Sequence, residues 1–332
     1  MVASFHNNSI LNTNNVRILV AGTPQTTVGV AQTLFDAHYT IVGVLCPFPK
    51  PIGRQQHITA SPVELWARTK QIPVFHCDHH QLNTEGQSLS PLQSLLQTAV
   101  GKIDLLVVAD FGFLIPKWML DMSRFGGLNI HPSRLPRWRG AGPVPFTLLF
   151  GDTDSAVSII RMSEIFDLGA IVAQRDLPVF PRDTTGTLLA RGFEVGQSLL
   201  IDILPKYLDG TIHPIPQPTN SPTPMTYKKD LAKEWGFIPW STLQFAMGNT
   251  KTYESVPLFE KYALPTTAEQ LDRMIRAFSP KPLAWTILPN EKRMIIHSAN
   301  ISGKTLSLNE VQVEGKEKLL FSHIEKEIKE ST

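Results

Sequence analysis

VRILVAGTPQTTVGVAQTLFDAHYTIVGVLC, residues 16–46, decides the fold. It opens with an apolar, β-branched run (VRILVA, 16–21), turns through Gly22-Thr23-Pro24, continues through TVGVAQTLFDA, and closes on a second run, TIVGVLC (40–46). The middle piece is apolar at helical spacing, whereas the flanking runs are short and almost wholly hydrophobic, which reads as strand, helix, strand. Strands that are apolar along their whole length are buried on both faces, as in a parallel sheet covered by helices.

The pattern continues outward. SPVELWARTK (61–70) predicts a helix capped by Ser61 with Pro62 in its first turn. PVF (73–75), DLLVVAD (104–110), GGLNIH (126–131) and AVSIIRM (156–162) read as further strands, and residues 186–208 as a long helix. A mainly parallel, doubly wound α/β sheet is expected, with ligands at the carboxyl ends of its strands. After Asp209 the segment IHPIPQPTNSPTPMTY carries five prolines, too many for a helix. The expected organisation is a polar tail (1–15), a first domain (16–209), a Pro-rich linker (210–225) and a second domain (226–332). In the last, AEQLDRMIRAF (268–278) is an amphipathic helix, while AWTIL, RMIIHSA and TLSLNEVQVEG are strand-like, the composition of a small OB-like β-barrel.

The 332 residues are 42% hydrophobic and 18% charged, and 31 Lys plus Arg face 29 Asp plus Glu. A charge of +2 excludes a general polyanion magnet, so any nucleic-acid contact must be local. Two cysteines, Cys46 and Cys77, give no disulfide framework. The first sixteen residues have neither Lys or Arg nor a sustained apolar run, and no later apolar stretch is long enough to span a bilayer. A cytoplasmic monomer without membrane contact is expected.

Chemistry concentrates in GGLNIHPSRLPRWRGAGPVPF, 126–146. Asn129 and His131 lie two apart on a strand, so their side chains leave one face. An amide that donates to a developing oxyanion and an imidazole that moves a proton suit acyl transfer. The orienting carboxylate is assigned to Asp167, expected at another strand exit, with Gly169 providing a tight turn.

NIHPSRLPRWRGAGPV closely resembles the signature of folate-dependent formyltransferases, in particular those acting on methionyl-tRNA. The resemblance extends to VRILVAGTPQT, VVADFGFLIPK (107–117), the E-x-x-D-x-G segment around Asp167, TYKKDLAKEWGFIPW (226–240), RMIRAFSPKPLAW (273–285) and LNEVQVEGKEKL (308–319), and so covers residues 16–325. It implies a Rossmann-like formyltransferase fold, catalytic Asn129, His131 and Asp167, and no metal. It also implies 10-formyltetrahydrofolate as donor, held by Phe113, Leu114, Ile115, Ser133, Arg134, Leu135 and Pro136, with backbone groups of that turn reading the pterin. The partner it implies is methionyl initiator tRNA, contacted by Arg54 and Lys50 in the loop CPFPKPIGRQQHITASPV (46–63). Arg134 replaces the usual Leu, Ile165 and Phe166 replace Gly and Leu, and 245–267 stands out as an insertion. Amino-sugar nucleotide formylation and a non-catalytic folate- or RNA-binding module are the alternatives.

HCDHH (76–80) offers metal-ligand atoms, but adjacent residues converge poorly on one ion and no partner motif follows. It reads as a polar loop. Trp138 reads as a packed loop aromatic.

Overall fold

A computed structural model describes residues 13–52, 56–82, 90–325 and 328. Its elements are β1 (Arg17–Gly22), α1 (Gln25–Asp36), β2 (Thr40–Pro47), β3 (Lys50–Ile52), β4 (His57–Thr59), α2 (Pro62–Thr69), β5 (Val74–Cys77), α3 (His79–Leu82) and α4 (Pro91–Ala99). These are followed by β6 (Leu105–Ala109), α5 (Lys117–Asp121), β7 (Gly127–His131), α6 (Pro143–Leu149), β8 (Asp154–Arg161), β9 (Ile171–Pro178) and α7 (Thr185–Leu208). The remainder comprises α8 (Trp240–Ala246), α9 (Pro257–Tyr262), α10 (Ala268–Ala277), β10 (Ala284–Ile287), β11 (Arg293–Ser302), β12 (Thr305–Val313) and β13 (Leu319–Leu320). None of the described helices is long and apolar enough to cross a membrane.

Seven strands form one sheet in the order β5-β2-β1-β6-β7-β8-β9. The expected parallel arrangement holds from β5 to β7. Strand β8 reverses, running antiparallel to β7 with Asn129 opposite Ile160 and His131 opposite Ser158. The inner strands are buried end to end, as their sequences require; all five residues of β6 are buried. One side of the core joins Leu19, Leu45, Phe75, Leu96, Leu106 and Met119. Helix α2 begins as expected, with the Ser61 hydroxyl accepting from the Glu64 amide at 3.3 Å. A second, antiparallel sheet has the order β10-β11-β12-β13.

Two compact units divide the chain, and their segments alternate along it. The first contains residues 1–136, 156–175 and 192–220; the second contains 137–155, 176–191 and 221–332. Within the first unit, the Pro-rich stretch does more than span distance. Ile215 exchanges backbone hydrogen bonds with Ile171, at 2.7 and 2.8 Å.

Within the second unit, the segment WRGAGP (138–143) is bound to Thr226. The Thr226 amide donates to the Arg139 carbonyl at 2.8 Å, its carbonyl accepts from the Ala141 amide at 3.0 Å, and its hydroxyl accepts from the Gly142 amide at 2.9 Å. Gly140 has φ 105°, and a Cβ there would stand 2.1 Å from the Thr226 carbonyl oxygen, so only glycine fits. Trp138 is buried as expected, with its indole N–H on Asp152 at 2.7 Å. Arg137 grips the same carboxylate with two nitrogens, at 2.8 and 2.5 Å.

The 245–267 stretch supplies part of this unit's interior through α9. Lys261 pairs with Asp230, and the Tyr262 hydroxyl donates to the same carboxylate at 2.8 Å. The Tyr262 ring meets Phe146 edge-on at 5.2 Å. Burial pushes the Asp230 carboxyl up, but the hydrogen bonds of Lys261 and Tyr262 and the charges of Lys261 and Lys229 outweigh it and leave it below its ordinary value. Burial and the adjacent carboxylate push the Tyr262 phenol above its own.

HCDHH is not a loop. Its first two residues end β5, with Cys77 buried, and His79 and His80 open α3.

Candidate active site

Strand β7 turns Asn129 and His131 toward one face, and both meet Asp167. The Asn129 amide nitrogen lies 3.5 Å from Asp167 Oδ1, and His131 Nδ1 lies 3.6 Å from Asp167 Oδ2. The second distance is in ion-pair range but long for a hydrogen bond, a common state of catalytic contacts before substrate tightens them. His131 and Asp167 are both buried, which strengthens the electrostatic coupling between them. The Asn129 amide carries two N–H groups, of which the Asp167 contact uses one.

Asp167 arrives by a route different from the one its sequence position suggests. Because β8 is antiparallel to β7, it ends beside Leu128 rather than beside His131, so the following loop must double back to reach both side chains. Three features make that return. Asp167 itself, rather than Gly169, adopts the left-handed conformation, at φ 52°. Gly169 instead allows a close approach: a Cβ there would stand 1.9 Å from the Arg161 carbonyl oxygen. Finally, the Gln217 side-chain amide donates to the Asp167 carbonyl at 2.9 Å and to the Gly169 carbonyl at 2.7 Å.

Gln217 was missed by the motif reading. The available signal was a long amide between two prolines, Pro216-Gln217-Pro218, where a restricted backbone holds the side chain in a narrow range of directions.

The seven residues expected beside the donor divide into two groups. Ile115, Ser133 and Leu135 are buried and act as scaffold. The Ser133 carbonyl accepts from the Ser158 hydroxyl at 2.6 Å, and the Leu135 carbonyl accepts from Gln174 at 2.9 Å. The Leu135 amide donates to the Ser133 carbonyl at 3.0 Å. These hydrogen bonds hold the turn in place. Phe113, Arg134 and Pro136 are half-buried and Leu114 is exposed, so these four present the available surface. Ile165 and Phe166 also expose their side chains. Lys50 is exposed on β3, and Arg54 lies outside the described residues.

Comparison with known proteins is consistent with this geometry. Residues 14–204 match the profile described as formyl transferase. The chain belongs to the formyl transferase family. Residues 265–323 match the formyl transferase C-terminal domain. A sugar N-formyltransferase from Shewanella sp. aligns with TM-score 0.58 and 17% identity, covering 86% of this chain and 99% of its own. WlaRD, a sugar 3N-formyl transferase solved with dTDP and 5-N-formyl-THF, gives 0.58 and 17%, covering 91% and 94%. An N-formyltransferase from Helicobacter canadensis, in complex with folinic acid and dTDP-3-aminofucose, gives 0.58 and 14%, covering 92% and 98%. At such identities these likenesses establish the fold.

Proposed function

We propose that the chain transfers the formyl group of 10-formyltetrahydrofolate to the amino group of methionyl initiator tRNA. The observation that carries formyl transfer is the meeting of Asn129, His131 and Asp167 in one place. The folate ligands of WlaRD and the Helicobacter canadensis enzyme support the donor. Phe113 and Leu114 offer it apolar surface, and Arg134 adds a cation for its acidic tail.

The neutral amine attacks the formyl carbon, forming a C–N bond as the carbonyl oxygen gains negative charge. Asn129 and His131 donate to that oxygen; losing one such donor costs about 2.7–4 kcal/mol of barrier. Asp167 orients the imidazole through Nδ1. As the bond between the formyl carbon and the folate nitrogen breaks, the proton lost by the amine passes to that nitrogen through His131 or Asp167.

The acceptor reading rests on resemblance along residues 16–325 and on the C-terminal family domain at 265–323. Arg54 and Lys50 would meet the acceptor stem, the guanidinium gripping phosphate or stacking on an unpaired base. The second reading, formylation of an amino sugar on a nucleotide, is favoured by the named substrates of the structural relatives. Incubating the chain with the formyl donor and either methionine-charged initiator tRNA or a nucleotide-linked amino sugar separates the two. Formylmethionine is expected, and product from the sugar alone overturns the tRNA reading while leaving formyl transfer intact.

A further inference from the structure

We infer that Cys46, Glu64 and His76 form a binding site for a divalent transition metal such as Zn²⁺, separate from the formyl-transfer residues. Cys46 on β2 and His76 on β5 are direct partners across two parallel strands, so their side chains leave the same face of the sheet. Glu64, near the start of α2, lies against that face. The thiol sulfur, a carboxylate oxygen and an imidazole nitrogen all fall within 4.8 Å of one another. The HCDHH reading searched for ligands among neighbours in sequence; the fold instead joins His76 to residues 12 and 30 positions earlier.

The polar contacts point to a ligand. Glu64 is fully buried, and its Oε1 is taken by Arg68 at 2.5 Å. Its Oε2 and His76 Nε2 stand 3.2 Å apart, yet the angles do not make a hydrogen bond, and neither buried atom has another hydrogen-bond partner among the described residues. Two such atoms facing each other are costly unless something binds both. Tetrahedral zinc, with bonds of about 2.0–2.3 Å, sets its ligand atoms about 3.3–3.8 Å apart, so small rotamer changes bring all three donors into place. A thiolate, a carboxylate and a neutral imidazole balance a dication, and sulfur with nitrogen selects zinc over magnesium or calcium.

Supporting contacts fit the same reading. Phe48 stacks on the His76 ring at 5.3 Å, fixing its plane. Three protein donors leave one position of a tetrahedral ion for a water ligand. Cys46 and Glu64 flank the β3–β4 hairpin, so ligation closes the chain across its base.

Full-length protein stripped by chelator and titrated with Co²⁺ tests the site. One equivalent should bind, giving a thiolate-to-cobalt charge-transfer band and the visible bands of a four-coordinate ion, and one equivalent of Zn²⁺ should abolish both. Cys46→Ser and His76→Asn should each weaken binding by about a hundredfold, since changes to supporting residues alone cost about 10–100-fold. Cys77→Ser and the double change His79→Asn with His80→Asn should bind as the parent does. Zn²⁺ should raise the melting temperature of the parent but not of Cys46→Ser, with circular dichroism verifying that each variant is folded. No stoichiometric cobalt spectrum, a band that survives Cys46→Ser, or a band lost in folded Cys77→Ser overturns the assignment. None of these readouts uses formyl transfer, so the outcome is independent of the proposed function.

Discussion

Replacing Gln217 by Ala removes a single side-chain amide that holds two carbonyls of the loop carrying Asp167, at 2.9 and 2.7 Å. A net hydrogen bond is worth about 0.5–1.5 kcal/mol, so the pair contributes about 1–3 kcal/mol. The loop is partly exposed, and water can replace the lost donors, which places the expected effect near about 1–2 kcal/mol. Against this stands the left-handed backbone of Asp167, φ 52°, which costs about 1–3 kcal/mol. The two quantities are comparable, so without Gln217 little remains to hold Asp167 against His131. A change of that size lowers the ratio of assembled to disassembled loop by about 5–30-fold. Turnover should fall correspondingly, with a smaller change in KM for the formyl donor and little change in melting temperature. Hydrogen exchange should accelerate at Leu168, whose amide donates to Ile165 within the loop. Gln217→Glu, which loses the donors and sets a carboxylate against two carbonyls, should be at least as slow. Turnover within twofold of the parent in folded Gln217→Ala, with exchange at Leu168 unchanged, refutes the reasoning.

His131→Asn and Asp167→Asn should each cut turnover by at least about tenfold while the protein stays folded, measured by steady-state kinetics beside circular dichroism. Arg54→Ala should raise KM for charged tRNA and leave donor affinity unchanged, as read by titrating each substrate separately; equal losses in both count against a docking role. The Asp230 carboxyl is lowered in the folded state, so its contribution to stability is present above its ordinary pKa and is lost as pH falls through the lowered value. Asp230→Asn should therefore flatten the acid limb of a denaturant-midpoint-versus-pH curve, and cost about 1.5–3 kcal/mol near neutrality.

The sequence made the inner sheet legible because burial on both faces leaves unbroken apolar runs, as in LLVVA of β6. It made α2 legible through its Ser61 cap and α10 through its amphipathic spacing; in the structure Ser61 and Thr267 each accept from an amide three residues on. Strand β9 was hidden. It is an edge strand in which only Val172 and Leu177 are buried, and Arg175 and Asp176 interrupt its apolar run. The antiparallel direction of β8 was hidden too, because the buried run AVSII (156–160) reads the same in either direction. That reversal is what made the path to Asp167 unreadable, although the period of two placed Asn129 and His131 together. Gln217 and the α9 contacts to Asp230 escaped for a shared reason: each joins segments that carry no local pattern, and only the folded chain brings their polar atoms within reach.

The alternation of segments between the two compact units has a practical consequence. Trp138, Phe146 and Phe150, which pack in the second unit, are encoded long before Ser221, where its last and longest segment begins. A fragment cut at the proline stretch would therefore lose those aromatic rings and the Thr226 anchor's partners, and should not fold as an independent cassette. Anyone wishing to redirect this scaffold to a new acceptor does better to exchange surface loops than to splice whole halves.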